Sequence, residues 1–412
     1  MIQRSRFGAV VITAMLLFAG CSSSTATPTA TTTPALEPTA GPATAATLAP
    51  TPAAPTPKMG GTLVVGIPSD MVVADSALVQ DSASMYIQDN VVEGLVALKL
   101  GTVSTVAPAL ASSWDVSADG KTYTFHLQTG VKFQDGTDFN AAAVKYNYDR
   151  WQNLPKPLQD TYDYYYGANF GGWGSASNIT SVTASDAATV VMTLAQPQSN
   201  FLVSQAMVPF GIQSPTALKA GDADNPDPSK SSYAQFKGTG LVGTGPYKLS
   251  EWVPNDHVTV VKNSGYWDSK NAGYLDKIIF RPYSDQTAEL NALQSGDLDV
   301  AMTMSPTDIA AVKSNSKLQL LQRGAACNEG DLGFNQTFPK MQDKNLRIAI
   351  ATSLNRQSYV DAFYGGQGVV STGWMPAGIQ FFKAGSIPAY DLAKAKQLVG
   401  ALPTSEQTLD LY

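Results

Sequence analysis

Thirty-six consecutive residues, Ser22 to Pro57, are almost entirely Thr, Pro, Ala and Ser, and this tract decides where a fold can begin. Repeated proline removes backbone donors and blocks both helix and sheet ladders. The tract also has almost nothing to bury, so it reads as an extended tether over residues 22–58. At ~3.1 Å per residue such a tether reaches at most roughly 115 Å. The folded body is therefore expected from residue 59 onward.

Upstream of the tether, Arg4 and Arg6 precede a mostly apolar run from Phe7 to Ala19. That run is too short to cross about 30 Å of hydrocarbon, which takes roughly 20 helical residues, and it reads as an export signal. Phe18-Ala-Gly-Cys21 resembles the lipobox of bacterial lipoproteins, with Phe18 where Leu is usual. That resemblance implies residues 1–21 as signal and lipobox, with a lipid on Cys21 holding the protein to the membrane. Cys327 then has no partner in the chain and reads as a small buried hydrophobe.

Composition narrows the function classes. With 27 Lys+Arg against 33 Asp+Glu and no basic segment, nucleic acid is not an expected partner. Two His and two Cys are too few for a Cys/His zinc site or an iron–sulfur cluster, so no metal or cofactor is expected. At 44% hydrophobic over 412 residues, the chain carries enough apolar material for a core.

The body alternates strand and helix signals. Gly61 to Ile67 is apolar and closed by Pro68. In Thr122 to Leu127, Tyr123, Phe125 and Leu127 alternate with polar residues, which leaves His126 on the wet face. Asn178 to Leu194 reads as a hairpin around Ala184-Ser-Asp-Ala187, and Gly245 to Leu249 with Val258 to Val261 as another. Asn140 is placed to cap a helix with Val144, Tyr148 and Trp151 on one face. Ser305-Pro-Thr-Asp308 opens a further helix. Leu346 to Tyr364 reads as one helix with Leu346, Ile350, Leu354 and Phe363 on its apolar stripe, stopped by Gly365-Gly366. Asp391 caps a last one. The expected class is α/β with a mixed sheet.

Several stretches, in order from about Gly60 to Tyr412, resemble the family 5 solute-binding proteins of ABC importers, the peptide- and nickel-binding group. They are Val106 to Trp114, Asp119 to Leu127, Gly130 to Phe133, Asp135 to Thr137, Gly243 to Leu249, Asn263 to Trp267, Tyr274 to Lys277, Leu293 to Asp299, Phe334-Asn335 and Tyr390 to Lys394. The resemblance implies a two-lobe, type II periplasmic-binding-protein-like fold with an inserted subdomain. It divides the body into lobe I at 59–327, the inserted subdomain at about 86–180, and the start of lobe II at 328–412. Lobe II is expected to be incomplete, because the family's chain continues past the strand that Leu409 to Tyr412 begins. The implied function is capture of a peptide between two lobes and delivery to ABC permease and ATPase subunits. The protein is expected to act as a monomer, outside the cytoplasm, with no chemistry of its own. An oligosaccharide or a nickel chelate is the alternative solute.

Candidate ligand residues follow from both readings. Residues 162–173 hold six aromatics interleaved with glycines, which favours an irregular loop facing a cleft, with Tyr164, Tyr166 and Trp173 as contacts. The resemblance puts Ser69, Asp70 and Met71, just after the first strand, at the cleft. Thr244 and Gly245 offer backbone at close range. Asn335 sits near the expected crossing between lobes, and Trp374 lies between Gly373 and Pro376. A tethered hydrolase is the reading from another class. It has no Gly-x-Ser-x-Gly elbow, P-loop or His-Glu-x-x-His to rest on, and only His126 or His257 as a base.

Overall fold

The computed structural model describes residues 58–102, 104–162, 164–237, 240–321, 330–376, 382–385, 387–404 and 407. The signal, Cys21, the tether before residue 58, Cys327 and the segment from Leu409 to Tyr412 lie outside them.

Eleven strands are present among these residues. In chain order they are β1 (Thr62–Ile67), β2 (Val96–Leu98), β3 (Val106–Pro108), β4 (Ala111–Val116), β5 (Thr122–Leu127), β6 (Ile179–Ala184), β7 (Thr189–Leu194), β8 (Tyr247–Val253), β9 (His257–Lys262), β10 (Lys277–Pro282) and β11 (Val300–Ala301). A five-stranded sheet runs β11-β1-β10-β9-β8. In it β1 is parallel to both neighbours, while β10, β9 and β8 form an antiparallel meander. A parallel strand whose sheet is covered on both faces is apolar on both. Val65 to Ile67 accordingly close β1 with three buried residues. The side chains of Val65, Ile67, Val258, Val260, Ile278 and Phe280 form the core of this sheet.

Every residue between β1 and β8 is inserted between two strands of that sheet. The insertion builds its own antiparallel sheet, β4-β5-β7-β6. Along β5 the alternation is obeyed: Tyr123, Phe125 and Leu127 are buried, while His126 meets Asp115 at 2.9 Å on the open face. The helix Ala141–Gln152 covers the closed face. Asn140 Oδ1 accepts the Ala143 N–H at 3.0 Å, and Val144, Tyr148 and Trp151 point into the core. The same helix carries Arg150, whose buried guanidinium donates to Asp75 Oδ2 at 2.6 Å and to Asp224 Oδ1 at 2.6 Å. Two loops far apart in sequence are thereby tied to one helix.

Two sequence expectations are corrected here. The glycine-interleaved aromatic stretch is not irregular: Tyr164–Phe170 is a helix, because Tyr166 and Phe170, one turn apart, pack edge to face at 5.1 Å within the core. Leu346 to Tyr364 is not one helix but two, Lys344–Ser353 and Arg356–Tyr364. Leu354 turns extended, at ψ 114, and the Asn355 side chain accepts the Ser358 N–H at 3.1 Å. An asparagine that captures a nearby amide starts a new helix rather than continuing the old one. The expected stripe is lost with the break, and Leu354 and Phe363 are exposed.

Candidate ligand-binding site

The parallel part of the main sheet places three strand ends side by side. β1 runs into Pro68, β10 into Tyr283 and Ser284, and β11 into Thr303. A hollow of about 410 Å3 opens there, lined by Pro68, Tyr283, Ser284, Asp285, Thr303 and Ser305 among others. Carboxyl ends of parallel strands are the usual ligand positions of open α/β sheets, since the connecting loops there leave a crevice.

The rim is held by the fold's own hydrogen bonds. Tyr283 N–H donates to the Ile67 carbonyl at 2.7 Å, continuing the β1–β10 ladder by one step. Asp285 caps the helix Gln286–Ser295, with Oδ1 accepting the Ala288 N–H at 2.8 Å. One turn on, the buried Glu289 accepts the Met302 N–H at 2.9 Å, the Thr303 N–H at 3.3 Å and the Thr303 hydroxyl. The end of β11 is therefore fixed by a side chain behind it. What remains open is a surface of hydroxyls, an amide and one carboxylate.

The residues singled out from the sequence do not gather around this hollow. Ser69 is exposed beside Pro68. Asp70 is engaged by the protein: it accepts the Met71 N–H at 2.7 Å, the Trp252 indole N–H at 3.2 Å and the Asn255 N–H at 2.7 Å. Met71 is buried in the core of the main sheet.

Thr244 and Gly245 serve a second enclosed cluster. Thr244 donates to Glu93 Oε2 at 2.7 Å, and Glu93 also accepts from the Tyr266 hydroxyl at 2.7 Å and the Trp267 indole at 2.8 Å. Burial pushes the Glu93 carboxyl above its ordinary range, and these three donors offset the shift only partly. Gly245 is required by close packing, since a Cβ there would sit 2.7 Å from the Asn90 carbonyl oxygen. Its own carbonyl accepts from Gln134 and Asn263.

The aromatic helix divides by face. Tyr166 is 1% exposed and its hydroxyl lies 3.0 Å from Ser177 Oγ, whereas Tyr164 is 62% exposed. Trp173 is half-buried and packs against the same core as Tyr166. Asn335 closes a local turn, its Oδ1 accepting the Thr337 N–H at 3.0 Å and the Thr337 hydroxyl at 2.7 Å. Trp374 is 73% exposed. The segment after residue 330 approaches the rim at Gly365, left-handed at φ 54, where a Cβ would lie 3.2 Å from the Pro306 carbonyl oxygen. Pro306 follows Ser305 on the rim.

The hollow's own residues escaped sequence reading, although the signals were present. Ile278, Ile279 and Phe280 form an apolar run between Lys277 and Arg281, and Pro282 closes the strand. Asp285 stands where an N-cap stands, directly before Gln286.

With this geometry established, comparison with known proteins decides the family. A family model described as bacterial extracellular solute-binding proteins, family 5 middle, matches residues 105–404. The chain belongs to that family. Among relatives, the glutathione-binding protein GsiB of Salmonella choleraesuis (strain SC-B67) is 32% identical over 337 residues, covering 82% of this chain and 60% of its own length. The solved ABC transporter-associated periplasmic binding protein DppA of Helicobacter pylori, in complex with the peptide STSA, superposes with a TM-score of 0.69 at 27% identity. That match covers 83% of this chain and 66% of DppA. The oligopeptide-binding protein AppA of Bacillus subtilis, in complex with a nonapeptide, superposes with a TM-score of 0.68 at 25% identity, covering 84% of this chain and 64% of AppA. The α/β class and the periplasmic-binding-protein fold expected from sequence both hold. The family is one of extracellular solute-binding proteins, and DppA among its solved relatives is described as ABC transporter-associated. The chain spans about 60% of the length of the curated relatives it matches. Among the described residues no helix is long and apolar enough to cross a membrane.

Proposed function

We propose that this protein captures peptides outside the cytoplasm and passes them to an ABC permease, with the hollow at the ends of β1, β10 and β11 forming one wall of the solute site. The observation that carries this reading is the hollow itself, set where three parallel strands end in a family member whose solved relatives DppA and AppA hold peptides. Its hydroxyls and backbone groups suit a peptide main chain, which carries a donor and an acceptor at every residue. Residues 59–327 make the first lobe, with an inserted subdomain that runs beyond the expected 180 to take in β6 and β7, and residues from 328 start the second. A solute that touches both walls binds the closed arrangement better and shifts the protein toward it. The approach of Gly365 to Pro306 supports a second wall beside the first. Cys21 carries the lipid, the tether lets the monomer range from the membrane surface, and nothing is cleaved or transferred.

Calorimetric titration of the full chain with tripeptides, followed by mass spectrometry of the mixture, tests this. Saturable binding with the peptides recovered intact supports the reading. Cleaved peptide, or heat only with sugars or nickel chelates, contradicts it.

A further inference from the structure

We propose that Glu289 is a positioning residue for the solute site: it draws the Thr303 hydroxyl proton away from the hollow, so that the wall at Thr303 accepts hydrogen bonds from the solute and donates none. The inference rests on reading the hollow as a wall of the solute site. Glu289 is fully buried, yet among the described residues no ion pair uses its carboxylate. A buried charge without a counterion is costly unless hydrogen bonds take up its lone pairs. Among the described residues those bonds come from two adjacent residues. Oε1 accepts the Met302 N–H at 2.9 Å and the Thr303 N–H at 3.3 Å, and Oε2 accepts the Thr303 hydroxyl. β1 leaves room for the carboxylate at Gly66, where a Cβ would lie 2.7 Å from Glu289 Oε1.

A hydroxyl has one proton and two lone pairs, whereas a carboxylate has lone pairs alone. Between Thr303 and Glu289 the proton can therefore run one way only, from the hydroxyl to the carboxylate behind the wall. Thr303 itself lines the hollow, and its oxygen is left with lone pairs and no proton to offer there. A peptide main chain carries both a donor and an acceptor at every residue, and at this point only its N–H is matched. Ser305, on the same rim, is different. Its hydroxyl lies 2.7 Å from that of Thr307, and either of the two can be the donor, so its polarity can follow the solute. The fixed hydroxyl is the one with a carboxylate behind it.

The test replaces each amide of Ala-Ala-Ala-Ala in turn by an ester, which exchanges the N–H for an oxygen, and titrates the peptides into the full chain. One replacement should weaken binding about tenfold, because a donor is lost and two acceptors are left facing each other. Thr303→Ser keeps the hydroxyl and should keep that ratio, while Thr303→Val should bring it within about twofold of one. Glu289→Gln should do the same by another route. Its carboxamide donates to Thr303 Oγ1, which frees the hydroxyl proton to turn into the hollow and meet the ester oxygen. A merely structural role would weaken amide and ester forms alike and leave the ratio where it was. Should Glu289→Gln not fold, the pair Thr303→Ser and Thr303→Val decides. Ratios near one at every position in the wild type, or a ratio that persists in Thr303→Val or in folded Glu289→Gln, overturn the inference alone. Failure of every peptide to bind overturns it together with the function it rests on.

Discussion

Asp70 accepts the backbone N–H of Asn255 at 2.7 Å, across 185 residues of chain. Asn255 is left-handed, at φ 62, at the tip of the hairpin between β8 and β9. The same carboxylate holds the Trp252 indole and the Met71 amide. The loop that leaves β1, and with it Pro68 on the rim of the hollow, is thus pinned to the far edge of the main sheet.

Asp70→Ala removes a charged acceptor from three donors and should cost about 2–3 kcal/mol in urea unfolding. Asp70→Asn keeps an acceptor and should cost less than half of that. If Asp70 instead held a solute amine as its main task, Asp70→Ala would lose peptide binding with an unchanged midpoint.

The aromatic helix offers a paired comparison. Tyr166→Ala should cost about 3–5 kcal/mol, as for a large truncation in a core, and Tyr166→Phe about 1 kcal/mol for the bond to Ser177. Tyr164→Ala should fall within about 0.5 kcal/mol of wild type. Equal losses at Tyr164 and Tyr166 in chemical unfolding would contradict this division by face.

Arg150 is buried with Asp75, and Asp224 reaches it from a more exposed loop. Arg150→Met leaves Asp75 buried without its counterion and should cost about 3–5 kcal/mol. Adding Asp75→Asn should recover part of the loss, because the stranded charge is gone. A double variant whose loss equals the sum of the two single losses would show that the pair is not coupled.

His257 lies between Asp256, 2.5 Å from Nδ1, and Glu251, 3.2 Å from Nε2. Hydrogen bonds to Asp256 first and Glu251 second raise its pKa above the usual 6.5. A raised folded value means that the protonated imidazolium stabilises the fold. That contribution is complete below about pH 6.5, the unfolded value, and disappears as pH rises through the higher folded value. NMR titration of His257 should show a midpoint above 6.5, moving down in Asp256→Asn. A midpoint at or below the unperturbed value would refute the arrangement.

Much of the scaffold was legible because its signals are local. The alternation in Tyr123, Phe125 and Leu127, the caps at Asn140 and Asp391, and the hairpin at residues 184–187 each depend on a few adjacent side chains. The break at Leu354-Asn355 was not read, since its periodicity continues across it and only the Asn355 side chain, turned back on Ser358, stops the helix. The site was harder for the same reason. Asp70, Thr244 and Tyr166 have residue types suited to a ligand, yet each is engaged by a partner distant or distinct in sequence: Asn255, Glu93 and Ser177. The hollow arises only when β1, β10 and β11 stand side by side, and no window of sequence contains all three.

Hydrogen exchange of the full chain with and without saturating Ala-Lys-Ala tests the central claim most directly. Slowed exchange in residues 283–288 and 302–307, with β5 and β7 unchanged, is the predicted result. Protection confined to other segments, with these two left as they were, would place the solute elsewhere and contradict the account.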